Sequence, residues 1–171
     1  MAYNPFLHHR RSIRLPDYDY SKPGCYVVTI CTHEKQRFFG EITEGKMILS
    51  EIGKYATDCW LEIPLHYPNT QLHEFVIMPD HLHGIIEILP TENVDLALES
   101  THQRNAYQKI IPRSLGCIVR GYKIGVTKKV RKGLNDRIVW QDNFHDKIIR
   151  NANMLRNFKR YIVNNPINWK G

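Results

Sequence analysis

The most constraining feature of this sequence is a pair of short apolar runs, at residues 75–78 and 85–88, separated by a turn at Pro79-Asp80. Runs rich in β-branched residues on either side of such a turn predict an antiparallel β-hairpin. Side chains alternate between the two faces of a strand, so His81 and His83 are expected on the same face. Gly84 beside them is expected to leave room for a ligand to approach the backbone.

The two histidines permit two interpretations. Imidazoles at positions i and i+2 of a rigid strand lie close enough to hold one divalent cation, but ordinary histidines at a sheet edge show the same spacing. The histidine triad hydrolases need a third histidine in the alternating series, and Ile85 occupies that position here. The spacing therefore disfavours hydrolases of that class and leaves a metal site as one of two hypotheses.

The order of the remaining periodic segments predicts an α+β, ferredoxin-like (RRM-like) fold. We expect a strand at 25–32, a small hairpin at 38–49, a helix capped by Ser50, the central hairpin, a helix capped by Ser114, a strand at 137–140 and a final helix at 151–164. Strand, helix, strand, strand, helix, strand is typical of an antiparallel four-stranded sheet with two helices on one face. The final helix is an addition, and it carries Tyr161.

The length and composition predict one domain over residues 1–171, with a basic N-terminal arm at 1–20 and a mobile loop at 90–112. The sequence has no apolar run of membrane-spanning length, and residues 1–14 do not read as a secretory leader. We therefore expect a cytoplasmic, nucleoid-associated protein without a membrane partner. The four dispersed cysteines predict reduced thiols rather than a disulfide framework.

The charge distribution points to a polyanionic partner. The formal net charge is +7, and no acidic residue occurs between Glu99 and Asp136. An ordinary solvated helix face is the alternative explanation, but surfaces normally intersperse both signs, so an acid-free segment of this length favours nucleic acid. The residues expected to contact the nucleic acid are Arg10, Arg11, Arg14, Arg120, Lys123, Lys128 and Lys129.

The last predicted helix places Tyr161 and Asn165 four residues apart, hence on one helical face. Leu155, Phe158 and Ile162 form a neighbouring apolar stripe that is expected to dock this helix against the sheet. Tyr161 also fits a half-buried aromatic with a solvated hydroxyl, and Asn165 fits a residue that ends a helix before proline. Spacing alone leaves these alternatives open.

Two blocks of sequence carry a family resemblance, Met78-Pro79-Asp80-His81-Leu82-His83-Gly84 and Tyr161-Ile162-x-x-Asn165-Pro166. Together they resemble the single-tyrosine HUH transposases, where U is a bulky apolar residue, and most closely the REP-associated tyrosine transposases. Further blocks occur in the same order: Arg14-Leu15-Pro16-x-Tyr18-Asp19-Tyr20, Thr29-Ile30-Cys31-Thr32, Trp140-Gln141 and Ile148-Ile149-Arg150.

The resemblance implies a ferredoxin-like sheet, a divalent metal on His81, His83 and Asn165, and Tyr161 as the nucleophile of a catalytic set completed by the two histidines. Imidazoles with an amide oxygen suit Mg²⁺ or Mn²⁺. The implied activity is metal-dependent cleavage and rejoining of single-stranded or hairpin DNA through a 5′-phosphotyrosine, by a monomer or homodimer. A further histidine of the family falls at Lys147, with His145 close by, so this region is left out of the catalytic set.

Two other functions remain open from sequence. One is a non-catalytic, domesticated DNA-binding protein on the same fold, against which the intact histidines and Tyr161 argue. The other is a metal-dependent phosphoesterase that uses water and does not need the tyrosine. A covalent protein–DNA adduct, binding alone, or free 5′-phosphate ends would distinguish the three. Aromatic residues such as Tyr26 are expected to stack on unpaired bases.

Overall fold

The computed structural model describes residue 15 and residues 18–90, 111–134 and 138–169. The elements in chain order are β1 (Gly24–Cys31), β2 (Gly40–Thr43), β3 (Lys46–Leu49), α1 (Glu51–Leu61), α2 (Ile63–His66), β4 (Thr70–Met78), β5 (His81–Ile88), α3 (Leu115–Leu134), β6 (His145–Ile149) and α4 (Ala152–Asn164). The N-terminal arm, apart from its last few residues, and most of the predicted mobile loop lie outside the described residues. Within the described ranges, none of the helices has the length and apolar character needed to cross a membrane.

The main sheet has four antiparallel strands in the order β4-β5-β1-β6, and β2 and β3 form a separate hairpin. Helices α1 and α3 cover one face of the main sheet, where the large core contains Trp60 from α1, Tyr122 from α3, and Val28 and Leu82 from the strands. The ferredoxin-like prediction is therefore confirmed.

The predicted helix starts are confirmed by side-chain caps. Ser50, Ser114 and Asn151 each accept a hydrogen bond from the backbone N–H three residues further on, at 3.1, 3.3 and 2.8 Å. Such caps satisfy donors that have no partner within the first helical turn.

The strand predicted at 137–140 is wrong, because the fourth strand of the sheet is β6. Val139 is buried in the core, and Trp140 makes an isolated bridge with Thr32. Two of the apolar residues that suggested a strand therefore pack at one end of the core, whereas Ile138 is exposed. The true strand lies at the sheet edge and begins with three polar residues, which gives it a weaker β signal.

Helix α4 lies on the opposite face of the sheet from α1 and α3. Its fully buried Ile162 contacts Val27 and Ile85, while Leu155 and Phe158 are partly buried against the same small cluster. The predicted docking stripe is thus confirmed. An ion pair between Lys159 of α4 and Glu74 of β4, at 2.9 Å, adds to the attachment.

Candidate active site

His81 and His83 face α4 from the start of β5, where the turn at Pro79 and Asp80 joins this strand to β4. The buried Thr32 holds the backbone of this turn. The Thr32 N–H donates to the Asp80 carbonyl at 2.9 Å, and the Thr32 hydroxyl lies 2.8 Å from the same oxygen. Because the backbone fixes the turn, the Asp80 carboxylate is available to a histidine.

The Nε2 atoms of the two imidazoles point toward one common position. Their Nε2 atoms lie 3.1 Å apart. The other nitrogen of each ring has its own partner, because Asp80 Oδ1 lies 2.5 Å from His81 Nδ1 and Thr29 Oγ1 lies 2.8 Å from His83 Nδ1. Metal-binding histidines are typically oriented in this way, with one nitrogen held by a polar partner and the other presented to the ion.

The donor geometry fits a divalent cation. Two neighbouring ligands of an octahedral Mg²⁺ at about 2.1 Å lie about 3.0 Å apart, close to the spacing of the two Nε2 atoms. With both Nε2 atoms unprotonated, as metal ligation requires, the two nitrogens would repel each other at that spacing, and a cation between them would remove the repulsion. Burial lowers the pKa of His83 to about 4, with His81 adding to the effect and Asp80 opposing it. The imidazole of His83 is therefore neutral near pH 7, as metal ligation requires.

Tyr161 reaches the histidine pair from α4. Its side chain is 51% exposed, its hydroxyl oxygen lies 3.4 Å from His83 Nε2, and the two ring centroids are 5.4 Å apart. Ile162, the next residue, is fully buried, so the docking of α4 and the position of the tyrosine are set by adjacent side chains. The phenol is thus both solvent-accessible and next to the predicted metal ligands.

Asn165 lies at the C-cap of α4, one turn after Tyr161, and its backbone N–H donates to the Ile162 carbonyl at 3.2 Å. Its role as third metal ligand stays a prediction. Beyond it, Trp169 places its ring 5.7 Å from that of His81. Sequence reasoning missed Trp169, since no periodicity links it to the hairpin.

Sequence reasoning also missed the roles of Asp80 and Thr29. Asp80 stands directly before His81, so the turn motif itself contained that signal. Thr29 is found only from the strand register, which places it opposite His83 in β5 and opposite His145 in β6. Lys147 occupies the position at which the family has a further histidine. Its Nζ lies 5.5 Å from the centroid of the Phe158 ring.

Two expectations about the surroundings of the histidines are wrong. Gly84 faces α1, where a Cβ atom would lie 2.2 Å from the Trp60 ring, so the glycine accommodates the core rather than a ligand. Tyr26 is fully buried beside Tyr18 and Tyr20 and has no exposed face on which a base can stack.

The described part of the acid-free segment lines a groove on the outer side of α3. The groove has a volume of about 420 Å³, and its lining includes Arg120, Lys128, Ile124 and Phe144. Phe144 directly precedes His145, which shares a cross-strand row with Thr29 and hence with the histidine pair. The groove therefore borders the start of β6, although its lining residues do not include the histidines themselves.

Two of the residues predicted to contact DNA, Lys123 and Lys129, have other partners in the structure. Lys123 donates to the carbonyls of Gln141 and Asn143, at 2.8 and 2.5 Å, and its pKa is lowered to about 8 by burial, with Asp142 opposing. Lys129 forms an ion pair with Glu62 at 3.0 Å. Arg120 and Lys128 are exposed, whereas Arg10, Arg11 and Arg14 lie outside the described residues.

Comparison with known proteins gives both a close and a distant relative. No protein-family model matches the sequence. An uncharacterised protein of Haemophilus influenzae is 43% identical over 172 residues, which cover 98% of this chain and 94% of that protein. A second Haemophilus influenzae protein, named "Putative REP-associated tyrosine transposase", is 22% identical over 149 residues, or 87% of this chain and 73% of that protein.

The fold is also similar to a solved structure. A REP-associated tyrosine transposase bound to a REP hairpin superimposes with a TM-score of 0.58 and 19% identity, over 90% of this chain and 73% of that chain. At this identity the likeness establishes a shared fold. The close relative establishes that this chain and the uncharacterised Haemophilus influenzae protein belong to one family.

Proposed function

We propose that this chain, which belongs to a REP-associated tyrosine transposase-like family, cleaves and rejoins single-stranded or hairpin DNA through a 5′-phosphotyrosine on Tyr161. One observation carries the proposal: the Tyr161 hydroxyl lies 3.4 Å from His83 Nε2, which itself lies 3.1 Å from His81 Nε2. A nucleophile and two convergent metal ligands are thus brought together from distant parts of the sequence.

Tyr161 supplies the nucleophile. Its oxygen bonds to the scissile phosphorus while the bond from phosphorus to the 3′ oxygen breaks, and the departing oxygen takes a proton to become a free 3′-hydroxyl. The phenol loses its proton to solvent, which its exposure permits. A free tyrosine has a pKa of about 10, so the phenolate needs a nearby positive charge. Rejoining is the reverse attack by a 3′-hydroxyl on the phosphotyrosine, and it needs no external energy source.

His81 and His83 hold the metal, and Asn165 is proposed as the third ligand. When bound, Mg²⁺ or Mn²⁺ polarises the scissile phosphate and stabilises the negative charge that develops during attack. Asp80 and Thr29 orient the two imidazoles, as their contacts with the Nδ1 atoms indicate. Ile162 holds α4 so that the Tyr161 oxygen stays beside this centre.

The DNA partner is proposed from charge and position. Arg120 and Lys128 are exposed and line the groove on α3, and Phe144 in the same lining directly precedes His145, which lies in one cross-strand row with Thr29 and His83. We propose that a strand bound in the groove continues past the start of β6 to the tyrosine. The solved transposase of the same fold binds a REP hairpin, and we propose a hairpin or single strand as the partner here.

The test is incubation with labelled hairpin oligonucleotides and Mn²⁺, read on a denaturing gel. We expect a slow-migrating covalent protein–DNA band with the unmodified protein and none with Tyr161→Phe. Tyr55→Phe is the matched control, because Tyr55 lies on α1 and its hydroxyl bonds Glu51, away from the histidines. The control variant should retain the band.

The alternatives predict different gels. Free 5′-phosphate ends that persist in Tyr161→Phe would support a phosphoesterase that uses water. Binding without any product, in the presence of Mn²⁺, would support a non-catalytic DNA-binding protein. A covalent band that persists in Tyr161→Phe would assign the nucleophile to another residue, although not to Tyr122, whose side chain is buried.

The DNA path has its own test, the dependence of affinity on salt. Replacing Arg120 and Lys128 together with glutamine should reduce the slope of log affinity against log salt by about 0.7 for each phosphate of a single strand that the variant no longer neutralises. The same substitutions at Lys46 and Lys54, exposed residues of β3 and α1, remove equal charge and should leave the slope unchanged. Equal slopes for the two double variants would refute the groove as the DNA path.

A further inference from the structure

A second group of metal-ligating side chains lies on the α4 face of the sheet, outside the proposed active site. Cys25 of β1, His73 of β4 and Glu87 of β5 each bring one ligand atom within 4.8 Å of the other two. Glu87 stands directly opposite Cys25 in the strand register. His73 Nε2 lies 2.7 Å from Glu87 Oε2.

A β-bulge contributes to this arrangement. Between Leu72 and Phe75 the register of β4 on β5 shifts by one residue, so both residues within the bulge face α4 while the flanking side chains face the core. Each of the two has a different partner: His73 contacts the Glu87 carboxylate, and Glu74 pairs with Lys159 of α4. Lys159 is thereby paired with Glu74, and the His73 imidazole remains available to the cluster of Cys25, His73 and Glu87.

The cluster is separate from His81 and His83, which are called the HUH histidines below. Glu87 follows His83 by four residues on the same extended strand, which corresponds to about 13 Å at a rise of about 3.3 Å per residue. An ion bound by Glu87 therefore cannot also be bound by His81 and His83, and the two sites can be tested independently.

We propose that Cys25, His73 and Glu87 bind a zinc ion. Thiolate, imidazole and carboxylate groups are each zinc ligands, and it is the soft thiolate that favours zinc over Mg²⁺ or Mn²⁺ at this site. The thiol gives its proton to solvent as the ion binds. The His73 side chain is 13% exposed and that of Glu87 is 36% exposed, so water has access to the fourth tetrahedral position.

The surroundings of the cluster are consistent with entry of an ion. An open cavity of about 480 Å³ between β4 and α4 is lined in part by His73, Glu74 and Lys159. Because the three proposed ligands come from three neighbouring strands, the ion would cross-link β1, β4 and β5 at the end of the sheet remote from the HUH histidines.

Co²⁺ is the probe for this site, because a thiolate ligand gives it a charge-transfer absorption in the near ultraviolet. We expect this absorption in the unmodified full-length protein and its loss in Cys25→Ser. Cys31→Ser is the matched control, since Cys31 is also half-buried on the same face of β1 but pairs with His81 in the register. The absorption should persist in Cys31→Ser and in the double variant His81→Ala/His83→Ala.

A second variant keeps the test decisive if Cys25→Ser does not fold. His73→Gln retains the thiol and should weaken Co²⁺ binding by at least about tenfold, with an unchanged far-ultraviolet circular dichroism spectrum. Absence of the absorption in the unmodified protein would mean that His73 and Glu87 form a hydrogen bond only, and its persistence in Cys25→Ser would assign the thiolate to another cysteine; either result would overturn the proposal. Loss in Cys31→Ser instead would assign the thiolate to the HUH site and overturn the proposal.

Discussion

The orientation of His81 by Asp80 yields a sharp prediction, in which Asp80→Asn weakens metal binding without unfolding the turn. The carboxylate lies 2.5 Å from His81 Nδ1, so it holds the ring and adds negative charge behind a proposed metal ligand. Loss of such an outer partner typically lowers metal affinity 10- to 100-fold. That range corresponds to about 1.4 to 2.8 kcal/mol of binding free energy.

The expected cost to stability is smaller, because Thr32 holds the turn through the Asp80 backbone carbonyl, which the substitution retains. Asparagine also keeps an oxygen that can accept from the imidazole. We therefore expect the free energy of unfolding of the metal-free protein to fall by no more than about 1 kcal/mol. For a chain of this size, that corresponds to a melting temperature lower by about 2 to 4 °C at most.

Calorimetric titration with Mn²⁺ at fixed ionic strength measures the effect, with thermal unfolding of the metal-free protein beside it. Asp58→Asn is the matched control, because it removes the same charge from an exposed position on α1. Unchanged Mn²⁺ affinity in Asp80→Asn would refute the positioning role. An equal loss in Asp58→Asn would show that the effect is one of net charge and not of ring orientation.

Three further substitutions, one of them with a matched control, test the contacts around the site. Gly84→Ala should lower the free energy of unfolding by about 1 to 3 kcal/mol in denaturant titrations, because the added Cβ meets the Trp60 ring at 2.2 Å. Ile162→Ala should cost about 2 to 5 kcal/mol and reduce cleavage, whereas Val163→Ala, at a position 63% exposed, should change neither. Thr29→Val, which removes the hydroxyl beside His83, should weaken Mn²⁺ binding with little change in the melting temperature.

The sequence was most informative where local periodicity decides the structure. The central hairpin, the capped helices and the docking stripe of α4 all follow from patterns within a few residues, and the structure confirms them. The strand predicted at 137–140 failed because Val139 and Trp140 pack in the core at the end of the sheet. The edge strand β6 begins with three polar residues, and its pairing with β1 is a long-range contact that local propensity does not report.

In the candidate site, too, local patterns predicted some features, whereas others depend on long-range contacts. The face shared by His81 and His83 follows from strand alternation, but Thr29 became visible only from the pairing of β1 with β5. Lys123 was expected to contact DNA because it lies in the acid-free segment. The turn before β6 covers it and supplies two carbonyl acceptors, from residues 18 and 20 positions further along the chain. No periodicity within a helix reports such a contact.

The large core and the candidate active site lie on opposite faces of the sheet. Helices α1 and α3 bury a large core that includes Trp60 and Tyr122, whereas α4 rests on a small cluster around Ile162 and the ion pair of Lys159 with Glu74. The histidine pair lies on the sheet, and the tyrosine lies on α4. A substitution that loosens α4 should therefore displace the Tyr161 oxygen while His81 and His83 keep their spacing. Loss of cleavage with retained Mn²⁺ binding is the behaviour that this arrangement predicts.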